Sequence, residues 1–410
     1  MLSKESSVVV AATAGIVAAH AEQITACFYP DMLAAHPELL SVFNLGNQAT
    51  GEQRKALAAS VVAYAVHLID PEAPSFTLIL ERIAHKHVSL GIRPEQYTIV
   101  GHHLLKAVGT VLGAAVTPEI ARAWDEVYWL FAVQLIAEEA RLYTRAGVDP
   151  DRPWESYQVV ERIDEAVDVV SLVLSPAAGT EVPHHQPGQY VSVAVDLPNG
   201  TRQPRQYTVS TAARPNTLQI TVRRVRGVDG APDGQVSSFL TSAVAVGDVL
   251  QLSRPAGDVT LAESTKPLML ISAGVGITPI TAVLEDVAAR TPQRTVVLAH
   301  ADRSAEHHPL RRATAASLAK LAETTRYTWY QEPGSVTGTD QEHFRPGLMD
   351  LSDLPIPLDT EVFMCGPLPF MRGVRRTLIE RGVDPADIAY EIFGPDLWNT
   401  EPVPATGVPA

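Results

Sequence analysis

Between Thr144 and Pro153 the hydrophobic pattern of this chain changes its period. Upstream, from Ser3 to Tyr143, apolar residues recur at helical spacing. Downstream they alternate, as in Tyr190–Val195, Thr217–Val222 and Asp248–Leu252, between turns such as Pro187-Gly188-Gln189 and Leu197-Pro198-Asn199-Gly200. A helical pattern does not fit a strand, so the chain must hold an all-α unit and an antiparallel β-barrel, joined where Gly, Pro and Asp cluster. From about Glu263, strand-like runs at Leu268–Ala273, Thr295–His300, Tyr327–Gln331 and Glu361–Cys365 alternate with helical segments, which predicts an α/β domain with a parallel sheet. The expected organisation is multidomain: all-α over 1–147, β-barrel over 152–262, α/β over 263–397, and a disordered, Pro-rich tail over 398–410. A length of 410 residues agrees, being too great for a single core.

A formal charge of −14 argues against binding nucleic acid or anionic membrane through bulk electrostatics. The two cysteines, Cys27 and Cys365, form no metal-type cluster, and a reducing compartment, the cytoplasm, is expected. The apolar stretch Val8–Ala19 mimics a secretory signal, but Glu5 beside Lys4 and the alanine-rich helical pattern favour a retained first helix. No apolar run reaches the length of roughly 18 residues needed to span a membrane.

Within the α unit, Phe76, Leu80, Ile83, His87 and Leu90 fall on one helical stripe, so His87 faces a core. His85 is rotated away, to the side of Glu81, Arg82 and Ser89, and is expected in water. An inward imidazole is either a satisfied core histidine or, against an apolar cavity, a ligand for haem iron. Gln53 begins the apolar face of Leu57, Val61, Tyr64 and Leu68, either pointing into a pocket or capping its wet edge. In the last helix, near Arg122 to Tyr143, Glu139 lies among Leu135, Ile136, Leu142 and Tyr143. A carboxylate there needs a partner: His87 and Tyr97, or an arginine of the next domain. Tyr29 and Phe43 read as core aromatics, and Pro30, Pro37, Pro71, Pro74, Pro94 and Pro118 are expected between helices or at their starts.

Phe28-Tyr29-Pro30, the segments 36–44, 47–57 and 83–105, and Glu138–Tyr143 resemble the globin domain of flavohaemoglobins. The resemblance implies His87 as proximal ligand of haem b, with Tyr97 and Glu139 hydrogen-bonded behind it. It implies Tyr29 and Gln53 as donors to bound oxygen, Leu57 over the iron, and Phe43 against the porphyrin. A hydrophobic, lipid-like ligand in the distal pocket is left open.

In the barrel, Arg205-Gln206-Tyr207-Thr208 offers a cation and an aromatic plane on one strand face and a hydroxyl on the other. Gly234-Gln235-Val236-Ser237 precedes a helical run starting near Ser238, and free amides at a helix start bind pyrophosphate. With Tyr190, these residues resemble the FAD domain of the ferredoxin-reductase-like family, the loop Arg226–Asp233 being longer than usual there. In the α/β part, Gly274-Val275-Gly276-Ile277-Thr278-Pro279 and Cys365-Gly366-Pro367 end two strands; they are either nucleotide-binding turns or merely tight βα connections. They look like the NAD(P) domain of the same family, and Tyr390–Gly394 like its closing segment, which implies Glu391 and Phe393 beside the flavin where nicotinamide enters. Asp302 favours NADH, whereas Arg303, Ser304, Arg311 and Arg312 could hold the phosphate of NADPH.

A nicotinamide gives two electrons as hydride, haem iron accepts one at a time, and a flavin does both. The expectation is a nitric oxide dioxygenase, acting as a monomer, that uses NADH or NADPH, FAD and haem to convert nitric oxide and O2 to nitrate. A diaphorase and a haem-based sensor are the competing readings.

Overall fold

The computed structural model describes residues 2–43, 52–73, 75–197, 200–227, 232–261, 263–332, 334 and 342–394, the side chains of 52–55 excepted. Met1–Pro150 and Gly394 belong to one compact unit and Asp151–Phe393 to a second. The tail from Pro395 lies outside the described residues, as do Pro74 and the middle of the Arg226–Asp233 loop.

The first unit is helical: α1 (Lys4–Ala19), α2 (Ala21–Ala35), α3 (Glu52–Ile69), α4 (Thr77–Leu90), α5 (Pro94–Leu112) and α6 (Pro118–Ala146), with a 3₁₀ turn at Pro37–Ser41. Ser3 caps α1, and Glu126 of α6 accepts hydrogen bonds from the Ser3 amide and hydroxyl and the Ser6 hydroxyl. Val10, Ala14 and Val17 of that helix are buried, as expected of a first helix that belongs to the fold. No single helix among the described residues is long and apolar enough to cross a membrane. Tyr64 stacks on Phe131 with ring centroids 4.9 Å apart, and Phe76 closes on both edge-on.

Three local readings need correction. Pro30 lies inside α2, where tertiary packing of Phe28, Tyr29 and Met32 outweighs the lost backbone bond. The last helix is longer than expected and runs to Ala146, where Gly147 turns its end, so the linker starts three residues later than the Thr144 signal. Ser89 is buried, because its hydroxyl folds back onto the Lys86 carbonyl and thus needs no water.

The second unit begins with an antiparallel sheet of β1 (Glu155–Ala166), β2 (Val169–Pro176), β3 (Tyr190–Asp196), β4 (Arg202–Thr208), β5 (Leu218–Arg223) and β6 (Val249–Leu252), in the order β4-β3-β6-β1-β2-β5. A bridge between Val209 and Ile220 joins the two outer strands and closes the sheet around Leu172, Val191, Val193, Ile220 and Leu252. Helix α7 (Gln235–Ser242) plugs one end with Val236 and Leu240. It starts three residues before the expected Ser238, directly after Gly234.

The rest of the unit is a parallel sheet, β10-β9-β8-β7-β11-β12, built from β7 (Leu268–Ala273), β8 (Val296–Asp302), β9 (Thr324–Tyr330), β10 (Glu342–Pro346), β11 (Glu361–Cys365) and β12 (Ile388–Glu391). Helices α8 (Ile277–Arg290), α9 (Arg311–Leu318) and α10 (Leu368–Glu380) connect the strands. The strand order reverses between β7 and β11, both of which end in glycine turns. Ligands of open α/β sheets bind at such a switch point.

Candidate functional site

In the first unit, His87 lies in the last turn of α4. Its Nδ1 is 2.7 Å from Oε1 of Glu139 on α6 and 2.8 Å from the hydroxyl of Tyr97 on α5. The Tyr97 hydroxyl donates to the same Glu139 oxygen at 2.5 Å. With that hydroxyl proton committed to the carboxylate, Nδ1 must carry its own proton, and the imidazole lone pair stands on Nε2. That tautomer is the metal-binding one, with a carboxylate raising its basicity. Burial, then the charge of Glu139, pushes the Tyr97 hydroxyl well above the ordinary tyrosine pKa, so it stays a neutral donor. Tyr128 of α6 donates to the Tyr97 carbonyl from behind. Gly101 admits that ring: a methyl group there would lie 2.3 Å from Tyr128 Cε1.

These residues fit haem. Glu139 is 2% exposed and its Oε2 has no hydrogen-bond partner among the described residues, so its contacts with His87 and Tyr97 are both made through Oε1. His87 itself keeps 29% of its side chain accessible, and Phe43, Leu57, Val61, Leu80 and Ile83 are only partly buried, the apolar wall a porphyrin would cover. Among the described residues no group of three or more His, Cys, Asp or Glu is arranged to hold a bare metal ion. Tyr29 is buried with its ring 5.8 Å from that of Phe43. Gln53 belongs to α3, but its side chain lies outside the described residues. Behind Leu57 and Val61 a small apolar cavity of about 40 Å³ is lined by Ile24, Leu104, Val108 and Trp124. His85 is partly exposed and takes no part in the His87–Glu139–Tyr97 cluster.

In the barrel, strand pairing puts Tyr207 opposite Val191, Arg205 opposite Val193 and Thr208 opposite Tyr190. Arg205 and Tyr207 therefore share one face, as the alternation predicts, while Gln206 reaches Ser192 on the other. Arg205 donates only to the neutral Gln203 side chain and the Pro204 carbonyl. Burial lowers its pKa, and no carboxylate pairs with it among the described residues, so it is a cation suited to an anionic ligand. Ser237 donates to the Gly234 carbonyl and accepts from the Val225 amide, which fixes the turn at the start of α7. Gln235 is exposed there and Val236 buried. The long loop is pinned at its ends: Arg226 pairs with Asp168, and Asp233 with Arg224 and the Gly227 amide. Tyr190 pairs with Ala256 next to the barrel mouth. Of the residues expected to meet FAD, Arg205 and Tyr207 thus stand on one face of β4, Gln206 and Thr208 on the other, and Gly234–Ser237 at the start of α7.

In the parallel sheet the two glycine turns come together. A side chain on Gly276 would place its first carbon 2.3 Å from the Cys365 carbonyl oxygen, so the turns after β7 and β11 touch backbone to backbone. Gly274 has φ of 55° and opens a 3₁₀ turn that leads into α8, where the Thr278 hydroxyl binds the Val275 carbonyl. Ile277, Thr278 and Pro279 are buried; Gly366 is partly exposed and Pro367 caps α10. Cys365 is fully buried, and burial, then Glu391, raises its thiol pKa well above the ordinary value. Glu391 ends β12 beside Cys365, and Phe393 is 46% exposed just beyond it. Asp302 turns inward, accepting from the Arg303 amide. Arg223 was passed over in the sequence because it ends an ordinary alternating strand; its guanidinium lies against Gly274.

Three family profiles match in succession: globin over residues 26–135, the oxidoreductase FAD-binding domain over 156–261 and the oxidoreductase NAD-binding domain over 270–376. The flavohemoprotein of Bordetella pertussis is 41% identical over 402 residues, covering 96% of this chain and 99% of that protein. This chain belongs to the flavohemoprotein family. The crystal structure of a flavohemoglobin from Malassezia yamatoensis, with bound FAD and heme, superposes with a TM-score of 0.85 at 34% identity over 96% of this chain and all of that one. The FAD/NAD-binding domain of a nitric oxide dioxygenase from Vibrio cholerae covers 60% of this flavohemoprotein, and all of that chain, at 36% identity and a TM-score of 0.54. The expected architecture, a helical globin domain followed by an antiparallel and then a parallel sheet, holds, and the cofactor set of haem, FAD and a nicotinamide nucleotide stands with it.

Proposed function

We propose that this flavohemoprotein is a nitric oxide dioxygenase, consuming O2, nitric oxide and NADH or NADPH. The observation that carries the reading is the buried carboxylate on the far nitrogen of His87, which makes the imidazole an electron-rich ligand suited to oxygen activation rather than storage. The nitric oxide dioxygenase of Vibrio cholerae, similar over the reductase part, supports it. When bound, haem supplies dioxygen binding and one-electron chemistry, and FAD converts hydride into single electrons.

The residues divide the work as follows. His87 offers Nε2 while its Nδ1 keeps its proton and donates it to Glu139, and Tyr97 holds that carboxylate in place. Tyr29 and Gln53 stabilise negative charge on the distal side, a preorganised electrostatic role. Phe43 and Leu57 keep water out, and a hydrophobic ligand of the distal pocket would lie against Leu57 and Val61. Arg205 binds the flavin's diphosphate with the turn Gly234–Ser237; Tyr190, Tyr207, Thr208 and Gln206 orient its ring. Gly274–Pro279 and Cys365–Pro367 receive the nicotinamide nucleotide, with Glu391 and Phe393 at the flavin. We place the domain limits at 1–147, 152–262 and 263–397, and read the protein as a cytoplasmic monomer that binds no nucleic acid; limited proteolysis, with cleavage between 147 and 152, checks the first domain limit, and sedimentation checks the monomer.

Replacing Tyr29 by Phe tests the assignment. Nitrate production falls while reduction of added cytochrome c by the flavin stays unchanged; unaltered nitric oxide turnover contradicts the reading.

A further inference from the structure

Strand β1 loses its alternation just before Arg162, and the break decides which charge faces into the barrel. Val159 pairs with Leu174 and Arg162 with Leu172, so β1 advances three residues while β2 advances two, the shift falling between Val159 and Glu161. Tyr157 and Val159 are buried, and an unbroken period of two would bring Glu161 inward next. The bulge leaves Val160 and Glu161 both exposed and turns Arg162 to the side of Leu172 instead.

What Arg162 meets there is the carboxyl end of α7. Its Nη2 donates to the Thr241 carbonyl at 2.8 Å, and its Nη1 to the carbonyls of Val244 at 3.1 Å and Leu240 at 3.5 Å. The carboxylate of Asp164, 3.4 Å away, is 84% exposed, where solvent screens it. The last carbonyls of a helix carry its negative end, and a guanidinium both satisfies and neutralises them. A carboxylate, as Glu161 would supply, repels them. At the amino end no side chain caps α7, Gly234 standing at the N-cap position. The helix is thus compensated at one end only, and the uncompensated end is the one that favours an anion.

We propose that Arg162 is a positioning residue for FAD. Aimed by the bulge, it anchors the carboxyl end of α7 to the barrel wall and cancels its negative pole, so that the amino end at Gly234–Ser237 is held for the flavin's diphosphate. A helix of eight residues is about 12 Å long, so Arg162 acts through the helix and not by contact with the diphosphate. This rests on the reading of Gly234–Ser237 as the diphosphate site.

The test uses the full-length, haem-loaded protein freed of flavin by dialysis against bromide. Binding of FAD, and of riboflavin, which shares the ring and lacks the diphosphate, is read by equilibrium dialysis. Arg162→Met keeps the aliphatic stem and removes the charge and its donors; Arg162→Lys keeps the charge. Arg162→Met weakens FAD binding by about 5- to 30-fold and leaves riboflavin binding unchanged, and Arg162→Lys restores most of the FAD affinity. Unchanged FAD affinity in Arg162→Met overturns the proposal. So does an equal loss for FAD and riboflavin, which would make Arg162 a support of the whole barrel. Should Arg162→Met fail to fold, Arg162→Gln, uncharged but still able to donate to the carbonyls, carries the same comparison. If the unsubstituted protein holds riboflavin as tightly as FAD, the diphosphate reading of Gly234–Ser237 fails as well, so the two failures are told apart.

Discussion

Glu139 is bonded through one oxygen and bare at the other, and its neighbour in sequence, Glu138, is bonded to Arg141 near the surface at 2.8 Å. The pair makes an internal control. Glu139→Gln removes the charge behind His87 while keeping its shape, and the expected result is retained haem with nitric oxide turnover lowered by about 10- to 100-fold, the usual cost of losing an outer partner of a metal ligand. Glu138→Gln removes a partly exposed ion pair and changes turnover and stability little, by about 0–1 kcal/mol. Stopped-flow assays on both variants check this. Helical spacing alone separates these two glutamates, since only Glu139 falls among Leu135, Ile136 and Leu142. Spacing left its partner open between His87 with Tyr97 and a distant arginine, because the choice depends on how α4, α5 and α6 meet.

At the level of elements, that meeting is set by Gly101. With Tyr128 Cε1 2.3 Å from the place of a side chain on it, α5 and α6 approach only because the position is bare. Gly101→Ala forces Tyr128 off the Tyr97 carbonyl and is expected to destabilise the first unit by about 1–3 kcal/mol, with faster haem loss to an acceptor globin; an unchanged melting temperature would contradict the packing argument. No periodicity marks Gly101, since a helix pattern registers which residues face inward and not which must be small. The same limit explains what was missed in the barrel. β1 carries charged residues at Glu161, Arg162, Asp164 and Glu165 and has register shifts at Val159/Glu161 and Asp164/Ala166, so its alternation is broken. β2 is buried along nearly its whole length and reads as a continuous apolar run instead of an alternating one. The strands that were legible, β3, β5 and β6, are those with a clean period of two; of the parallel strands β7, β8, β9 and β11 were legible because each ends at a turn or starts after a helix, whereas the short edge strands β10 and β12 were not.

At the level of the whole molecule, the second unit carries a pH dependence of its own. His308 is buried, its Nδ1 2.8 Å from the Tyr330 hydroxyl and its ring 4.1 Å from that of His300. Burial first, then His300, Arg311 and Arg326 around it, hold its pKa well below the ordinary value. The unfolded chain takes up a proton at this side chain below about pH 6.5, which the folded unit refuses, so the contribution is complete above that pH and is lost as pH falls, by up to ~1.4 kcal/mol per pH unit. The melting temperature of the reductase unit should drop between about pH 7 and 5, and His308→Gln should flatten that drop. Oxidation of nitric oxide to nitrate releases three electrons and O2 accepts four, so each nitrate draws one electron and each coenzyme molecule, with two, supports two nitrates. The direct measurement is nitrate formed against NADH or NADPH oxidised by the loaded protein under excess O2 and nitric oxide. A ratio of about two nitrates per coenzyme is the predicted result; coenzyme oxidation that continues without nitrate would contradict it.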